Sequence, residues 1–592
     1  MYDRCDLYME KDIKKNTKLT LLVGILILIV IITTSTYAYF KTRIKSPGSK
    51  ISVTGSNFSL NITDNALTAS GLKPIYDKNK STQAVKKEFI ISIGSDGITS
   101  ACYDLYIDIE SLGSNLRNKY FKYEITNGTD TYAGNFSGRT DGSQILIMRN
   151  QNINTTNTSN SYTLYLWLAY GDNDDSQGEL LTGDAASRTY KGRILAKAVT
   201  GSCKDSNTAP LLSLVDTMLK DNTTIKERTD FSVTNTANTT GTIYKTNKTE
   251  DGSDVYYYSG NTINNWVKFG KYQSDKIVYR GYSDTSDAFK DYSTLEECTN
   301  ATSFNKNCTK FLYGNAGDDM YWRIIRTNED GSVRMLYSGT SHDTTEGCIG
   351  NSEYNSSYKN PMYVGYMYGT SDTLENNRTN DNDSTIKGVV DTWYESNLLT
   401  TYDKYISKTA IYCNDISVPN NDYSTSSLFH YGAYTRLREN KTPSYKCGAN
   451  TNDGLFESTQ AIADKFSAST AGGGNGQLKY PIALMTADEV AFAGGAYNTK
   501  LSSPYAWYYT NSVGSSIVNS GYWWLLTSYI WNGSRSLVYG VYGSDYPGIL
   551  FLDNQVMRLL AVRPVISLSS CVKVTGNGTP ESPYEIDETS CN

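Results

Sequence analysis

The sequence predicts an N-terminal transmembrane helix or signal segment, then an all-β sandwich, then an α+β domain. Three observations carry that reading. An uncharged apolar run follows a lysine-rich start. Short alternating runs fill residues 50–203 between clusters of Gly, Asn, Asp and Ser. Helical periodicity stands beside Trp-rich strands over residues 251–571. A chain of 592 residues has room for two to four domains. Its 55 Lys+Arg against 61 Asp+Glu give a net charge of −6, without the basic excess that a nucleic-acid partner requires. Only 2 histidines leave little for imidazole catalysis or His-rich metal sites, while Tyr, at 49, far outnumbers the 15 Phe and 8 Trp.

Residues 1–18 are basic, with Lys11, Lys14, Lys15 and Lys18 just before the run Leu19 to Ile32. Positive charge ahead of an apolar run holds the N-terminus in the cytoplasm and sends the remainder outward. Counted to Phe40, segment 19–40 is long enough to span a bilayer; its apolar core alone matches a signal peptide. Thr36 and Ala38 supply small residues at −3 and −1 of a cleavage site. The two expected locations are therefore the cell membrane, single-pass with the C-terminal part extracellular, or the exterior after cleavage near Ala38.

Export makes disulfides durable. Of the ten cysteines, Cys5 falls on the cytoplasmic side and none forms a C-x-x-C. Pairing of near neighbours suggests Cys102–Cys203, Cys298–Cys308, Cys413–Cys447 and Cys571–Cys591, leaving Cys348 over in the loop HDTTEGCIGN.

Within 50–203, the strand YTLYLWLAY puts Leu164, Leu166 and Leu168 on one face and Thr163, Tyr165 and Trp167 on the other, as in a strand covered on both sides. Residues 204–250 read as a short amphipathic helix, with Leu211, Leu212, Val215, Met218 and Leu219 on one face, followed by a polar linker. In 251–571, YWRIIRTNEDGSVRMLY is a hairpin signal around Asn328 to Gly331. Ile386, Val389, Val390, Trp393 and Tyr394 make a helical face, and Thr486 with Glu489 is a capping box. Residues 572–592 are expected to form a disulfide-closed tail.

The STYAYF junction and the late YTLYLWL and YKGRILAKA strands resemble the TasA/camelysin group of exported Gram-positive proteins. That resemblance implies a jelly-roll-like sandwich and, in some members, biofilm fibres. Camelysin is described as a peptidase, but this chain has no H-E-x-x-H, and His342 and His430 lie outside the sandwich. Trp322-Arg323-Ile324, Thr486 to Val490, Trp523-Trp524-Leu525 and Val562-Arg563-Pro564 stand in the order found in a family of unknown function with a C-type-lectin-like, formylglycine-generating-enzyme-like fold. That family often has R-S-P after W-W-L, where this chain has Leu526-Thr527-Ser528. The reactive cysteines of formylglycine-generating enzymes have no counterpart here.

The region from Tyr529 to Asp553 corresponds to the ligand face of that fold. Tyr529, Trp531, Arg535, Tyr539, Tyr542, Asp545 and Tyr546 are its candidate ligand-binding residues, on sugar rings or on a protein. The competing reading packs Tyr539 and Tyr542 as strand residues. Asp172, Asn173, Asp174 and Asp175 carry oxygen ligands but lack the glycine spacing of an EF-hand loop, and read as a solvated turn. Gly472 to Gly476 lacks the Lys-Ser/Thr of a phosphate cradle. No catalytic, metal or cofactor site is expected.

The expected function is therefore non-enzymatic: surface binding or adhesion, toward a glycan or matrix protein and not nucleic acid. The alternatives are a fibre subunit that self-assembles through the sandwich, or a divergent extracytoplasmic enzyme, either camelysin-like or related to the formylglycine enzymes.

Overall fold

The computed structural model describes residues 51–592, except 54–57, 64, 94–99, 138, 171–185, 204–206, 286–288, 344–346, 371–372, 374–375, 377–378, 419–422, 448–464, 513–514, 517–521, 544–545, 589 and 592. Segment 19–40, the Ala38 junction, Cys5, the acidic turn 172–175 and Asp545 lie outside the described residues. Among the described residues no helix is long and apolar enough to cross a membrane. The chain is built mostly of strands and divides into two compact units, Met1–Pro210 and Leu211–Asn592.

Among its described residues the first unit has eleven strands: β1 (Ile51–Val53), β2 (Phe58–Ile62), β3 (Ala66–Ala69), β4 (Pro74–Ile75), β5 (Val85–Ile93), β6 (Ser100–Leu112), β7 (Phe121–Thr126), β8 (Thr131–Asn135), β9 (Gln144–Asn154), β10 (Ser159–Ala169) and β11 (Tyr190–Thr200). One sheet runs β1-β2-β5-β10-β7-β8 with β4 beside β10; the other runs β3-β11-β6-β9. Alternation decides what lies between them. Leu164, Leu166 and Leu168 of β10 and Phe121, Tyr123 and Ile125 of β7 share one buried cluster with Leu105, Ile107 and Ile109 of β6 and Ile194 of β11. The opposite row of β10 is only locally covered, contrary to the expectation for that strand. Thr163 and Tyr165 are half-exposed, whereas residues 77–83 lie over Trp167, whose indole donates to Asp77 Oδ1 at 2.8 Å. Cys102, on an interior strand, bonds to Cys203 just past the end of neighbouring β11.

The polar stretch 207–209 has a structural task. Arg149 N of β9 donates to Thr208 O at 3.2 Å, and Arg149 Nε donates to Ala209 O at 3.0 Å. The Thr208 hydroxyl lies 2.6 Å from Tyr132 OH of β8. One short segment thus bonds to the backbone of β9 and to a side chain of β8, the outer strands of the two sheets.

The second unit is organised on a ten-stranded sheet. Residues 211–250 are not a linker. Helix Leu214–Asp221, capped by Ser213, buries Leu214 and Met218, so Leu211 and Leu212 precede the helix instead of lining its face. Strands Thr224–Lys226 and Thr242–Thr246 then join the sheet. Polar composition masked this because the side chains satisfy buried backbone and hydroxyl groups. Asn222 Nδ2 donates to Met218 O and Tyr258 OH, and Thr239 donates to Ser259 O. The tail is sheet as well: Val574–Thr575 pairs with Tyr584–Ile586, which runs parallel to Trp266–Lys271.

The hairpin forms between Asp319–Thr327 and Val333–Tyr337, its turn closed by Gly331 at φ 76°. Helix Thr385–Asn397 buries Ile386, Val390, Trp393 and Tyr394. The capping box at Thr486 opens helix Ala487–Ala493. All four disulfides join the cysteines that neighbour pairing indicated, and Cys348 is buried outside them.

Candidate functional site

Three antiparallel strands carry the expected ligand face: Trp523–Asn532, Ser536–Val541 and Leu550–Gln555. On Trp523–Asn532 and Ser536–Val541 both faces are packed. Tyr529, Trp531 and Tyr539 are 4 %, 1 % and 0 % exposed, so they belong to the core and cannot stack on a ligand. Alternating aromatics suggested one open face, but the layer laid against it includes Tyr434, 5.4 Å from the Tyr529 ring. Arg535 is exposed in the turn 532–535, its guanidinium 5.9 Å from the Tyr358 ring. Tyr542 lies beyond the far end of strand Ser536–Val541, about 20 Å away at the usual rise per residue. Arg535 and Tyr542 therefore do not form one site.

What remains is a short aromatic ridge. Tyr542 is half-buried and Tyr546 is 47 % exposed. Tyr522 packs edge-on against Tyr542 with centroids 4.4 Å apart, and Tyr542 meets Tyr546 at 5.9 Å. Lys500 Nζ lies 4.7 Å from the Tyr546 ring. Perpendicular rings hold one another's orientation, so the ridge offers pre-set apolar edges beside one cation. The sequence reading missed Tyr522 and Lys500. Tyr522 directly precedes the W-W-L motif and by sequence reads as part of the core strand.

Interior charge forms a second cluster with a different character. Glu489 Oε1 accepts from Arg334 Nη1 at 2.7 Å and from Arg326 Nε at 3.2 Å, while Oε2 accepts from Thr486 N at 2.9 Å. Burial raises the Glu489 carboxyl, but Arg334 and Arg326 outweigh it and hold the group below its ordinary value. Arg436 grips Asp488 with two bonds of 2.7 Å and reaches Asp415 at 2.8 Å. Three arginines thus face Glu489, Asp488 and Asp415, with Glu329 3.6 Å from Arg326 and Glu250 beside them, around a void of about 20 Å³, room for about one water. Such a buried network of paired charges locks structure.

The other motif arginines act alike. Arg323 donates to Asn265 Oδ1 at 2.6 Å beneath Trp266, and Arg563 donates to the carbonyls of Tyr337, Gly347 and Tyr508. Burial pulls both down to about 9.

An open groove of about 320 Å³ is lined by Asp330, Lys404, Ser407, Lys408, Thr409, Ser569 and Ser570. Its two carboxylates are already engaged: Asp403, which also lines it, accepts from Tyr394 OH at 2.7 Å and pairs with Lys408. Asp330 accepts from the hydroxyls of Ser332, Ser407 and Thr409, which keep it below the usual carboxylate range against the upward pull of burial. His342 sits 6.5 Å from Trp266, and His430 stacks on Tyr434 at 3.7 Å. Among the described residues, no group of three His, Cys, Asp or Glu is placed to hold a metal. The chain matches no family model, no curated protein and no solved structure.

Proposed function

We propose that this chain is an exported bacterial cell-surface protein with a non-catalytic binding role. In this reading a TasA-like, jelly-roll sandwich bears a C-type-lectin-like second unit. The membrane holds it through segment 19–40, or it is released after cleavage near Ala38. The carrying observation is the ridge Tyr522, Tyr542 and Tyr546 beside Lys500, which keeps aromatic surface outside a core that absorbs most neighbouring rings. Four disulfides and the lysine-flanked apolar run support export. The ligand class is a glycan or a matrix protein.

The test is an array of glycans and matrix proteins, probed with the full chain in detergent and with Tyr542→Ala and Tyr546→Ala. At least a tenfold loss of a wild-type signal in both variants is expected; unchanged binding removes the ridge from the function. The fibre reading has its own observation. Residues 207–209 lie along β8 and β9, which leaves the β1 and β3 ends of the two sheets for strand addition. Filaments seen by electron microscopy, and lost on adding proline within β3, would favour that reading.

A further inference from the structure

The segment Arg436-Leu437-Arg438-Glu439-Asn440-Lys441 places its cations in opposite environments. It forms a π-helical turn, Thr435–Glu439, an arrangement enriched at functional positions. That turn sends Arg436 into the buried carboxylates and leaves Arg438 exposed. The Arg438 guanidinium lies 4.7 Å from the Tyr434 ring and 5.7 Å from the Tyr497 ring. Two residues past the turn, Lys441 adopts φ 54°, a left-handed conformation that costs a residue with a Cβ. This brings its ammonium 5.2 Å from the same Tyr497 ring.

Two positive groups therefore converge on one half-buried tyrosine. Neither takes part in an ion pair among the described residues. Their proximity is unfavourable in itself: burial, and then Arg438, lower the Lys441 ammonium from its ordinary value. Beside them, His430 and Tyr434 stack at 3.7 Å with 28° between their planes, and Tyr497 OH lies 2.8 Å from Tyr529 OH. The result is a half-exposed His430 ring, stacked on the buried Tyr434, next to two cations that share one tyrosine. Tyr497 and the ridge residue Lys500 share one loop, but this patch uses neither Tyr542 nor Tyr546.

We infer that Arg438 and Lys441 form an anion-binding site for an acidic saccharide, its carboxylate or sulfate held between the two cations and its ring set against the half-exposed His430 imidazole. A compact anion relieves the like-charge contact, and a flat ring held in place by the stack beneath it accepts the apolar face of a sugar. The inference stands on its own geometry and not on the ridge.

The test is calorimetric titration of the full chain in detergent with trigalacturonate, its methyl ester, a heparin-derived tetrasaccharide, inorganic sulfate and hexaglutamate. At least one acidic saccharide should bind saturably, tenfold or more tighter than the neutral ester and than sulfate. Arg438→Ala with Lys441→Ala should weaken it at least tenfold without moving the thermal midpoint, because both side chains lie outside the core. Tyr546→Ala should leave it unchanged, so failure of the ridge and failure of this site are read separately. Four results would overturn the inference: no binding of either acidic saccharide, equal affinity for acid and ester, an unaffected double variant, or hexaglutamate binding as tightly as the sugars. Lys441→Gly separates position from charge. It removes the cation but relaxes the left-handed backbone, and should weaken binding while raising stability slightly.

Discussion

Glu489 is 1 % exposed and does three things at once: it returns a bond to its own helix cap and neutralises Arg334 and Arg326. Removing it leaves two buried guanidinium groups without their shared carboxylate. Glu489→Ala should cost about 3–5 kcal/mol, the range for breaking a buried ion pair, read from urea midpoints. A loss below about 1 kcal/mol would mean that the arginines find other partners. The pH dependence has a definite sign. A carboxyl held below its ordinary 4.5 in the folded chain contributes stability above that value and loses it as pH falls through the lowered one. Stability should therefore fall below about pH 4.5, and Glu489→Gln should flatten that slope. Trp531 belongs to the same scale. As a core residue, its replacement by alanine should cost about 3–5 kcal/mol and leave ligand binding by the folded fraction intact, the reverse of a surface contact.

Among elements, β10 shows how far alternation can be read. Its leucine row had to be inner, since three leucines two residues apart share one face of a strand. Its other row needed the tertiary fold, because only Trp167 lies beneath residues 77–83. The disulfide Cys102–Cys203 works at the same level. It joins neighbouring strands in space but closes a separation of 101 residues along the chain. Loops of that length lose much of their unfolded freedom when cross-linked, so Cys102→Ser with Cys203→Ser should cost about 2–5 kcal/mol. Denaturant unfolding followed by far-ultraviolet dichroism would measure it.

For the whole molecule, the two units carry unequal reporters. All but one of the eight tryptophans lie in Leu211–Asn592, with Trp167 the exception. Tryptophan emission therefore follows the second unit, and backbone dichroism follows both. The Cys102→Ser, Cys203→Ser variant should shift the dichroism transition of the sandwich and leave the emission midpoint in place. A matching shift in emission would show that the units unfold as one.

The strands, the hairpin, the capping box and the four cysteine pairs were legible because each follows simple rules: side-chain period, turn chemistry, cap chemistry and pairing of consecutive cysteines. Three things were decided only by tertiary packing. Residues 211–250 look like a linker in composition, yet they fold into the sheet because Asn and Thr side chains satisfy buried groups there. Tyr529, Trp531 and Tyr539 look like a binding face, yet a second layer covers them. Arg436 and Arg438 look equivalent, yet a π-helical turn sends one into the core and the other to the surface. Local sequence specifies which face of an element is apolar. Which faces meet another layer depends on contacts between residues far apart in the chain, and here those contacts set what is left for ligands.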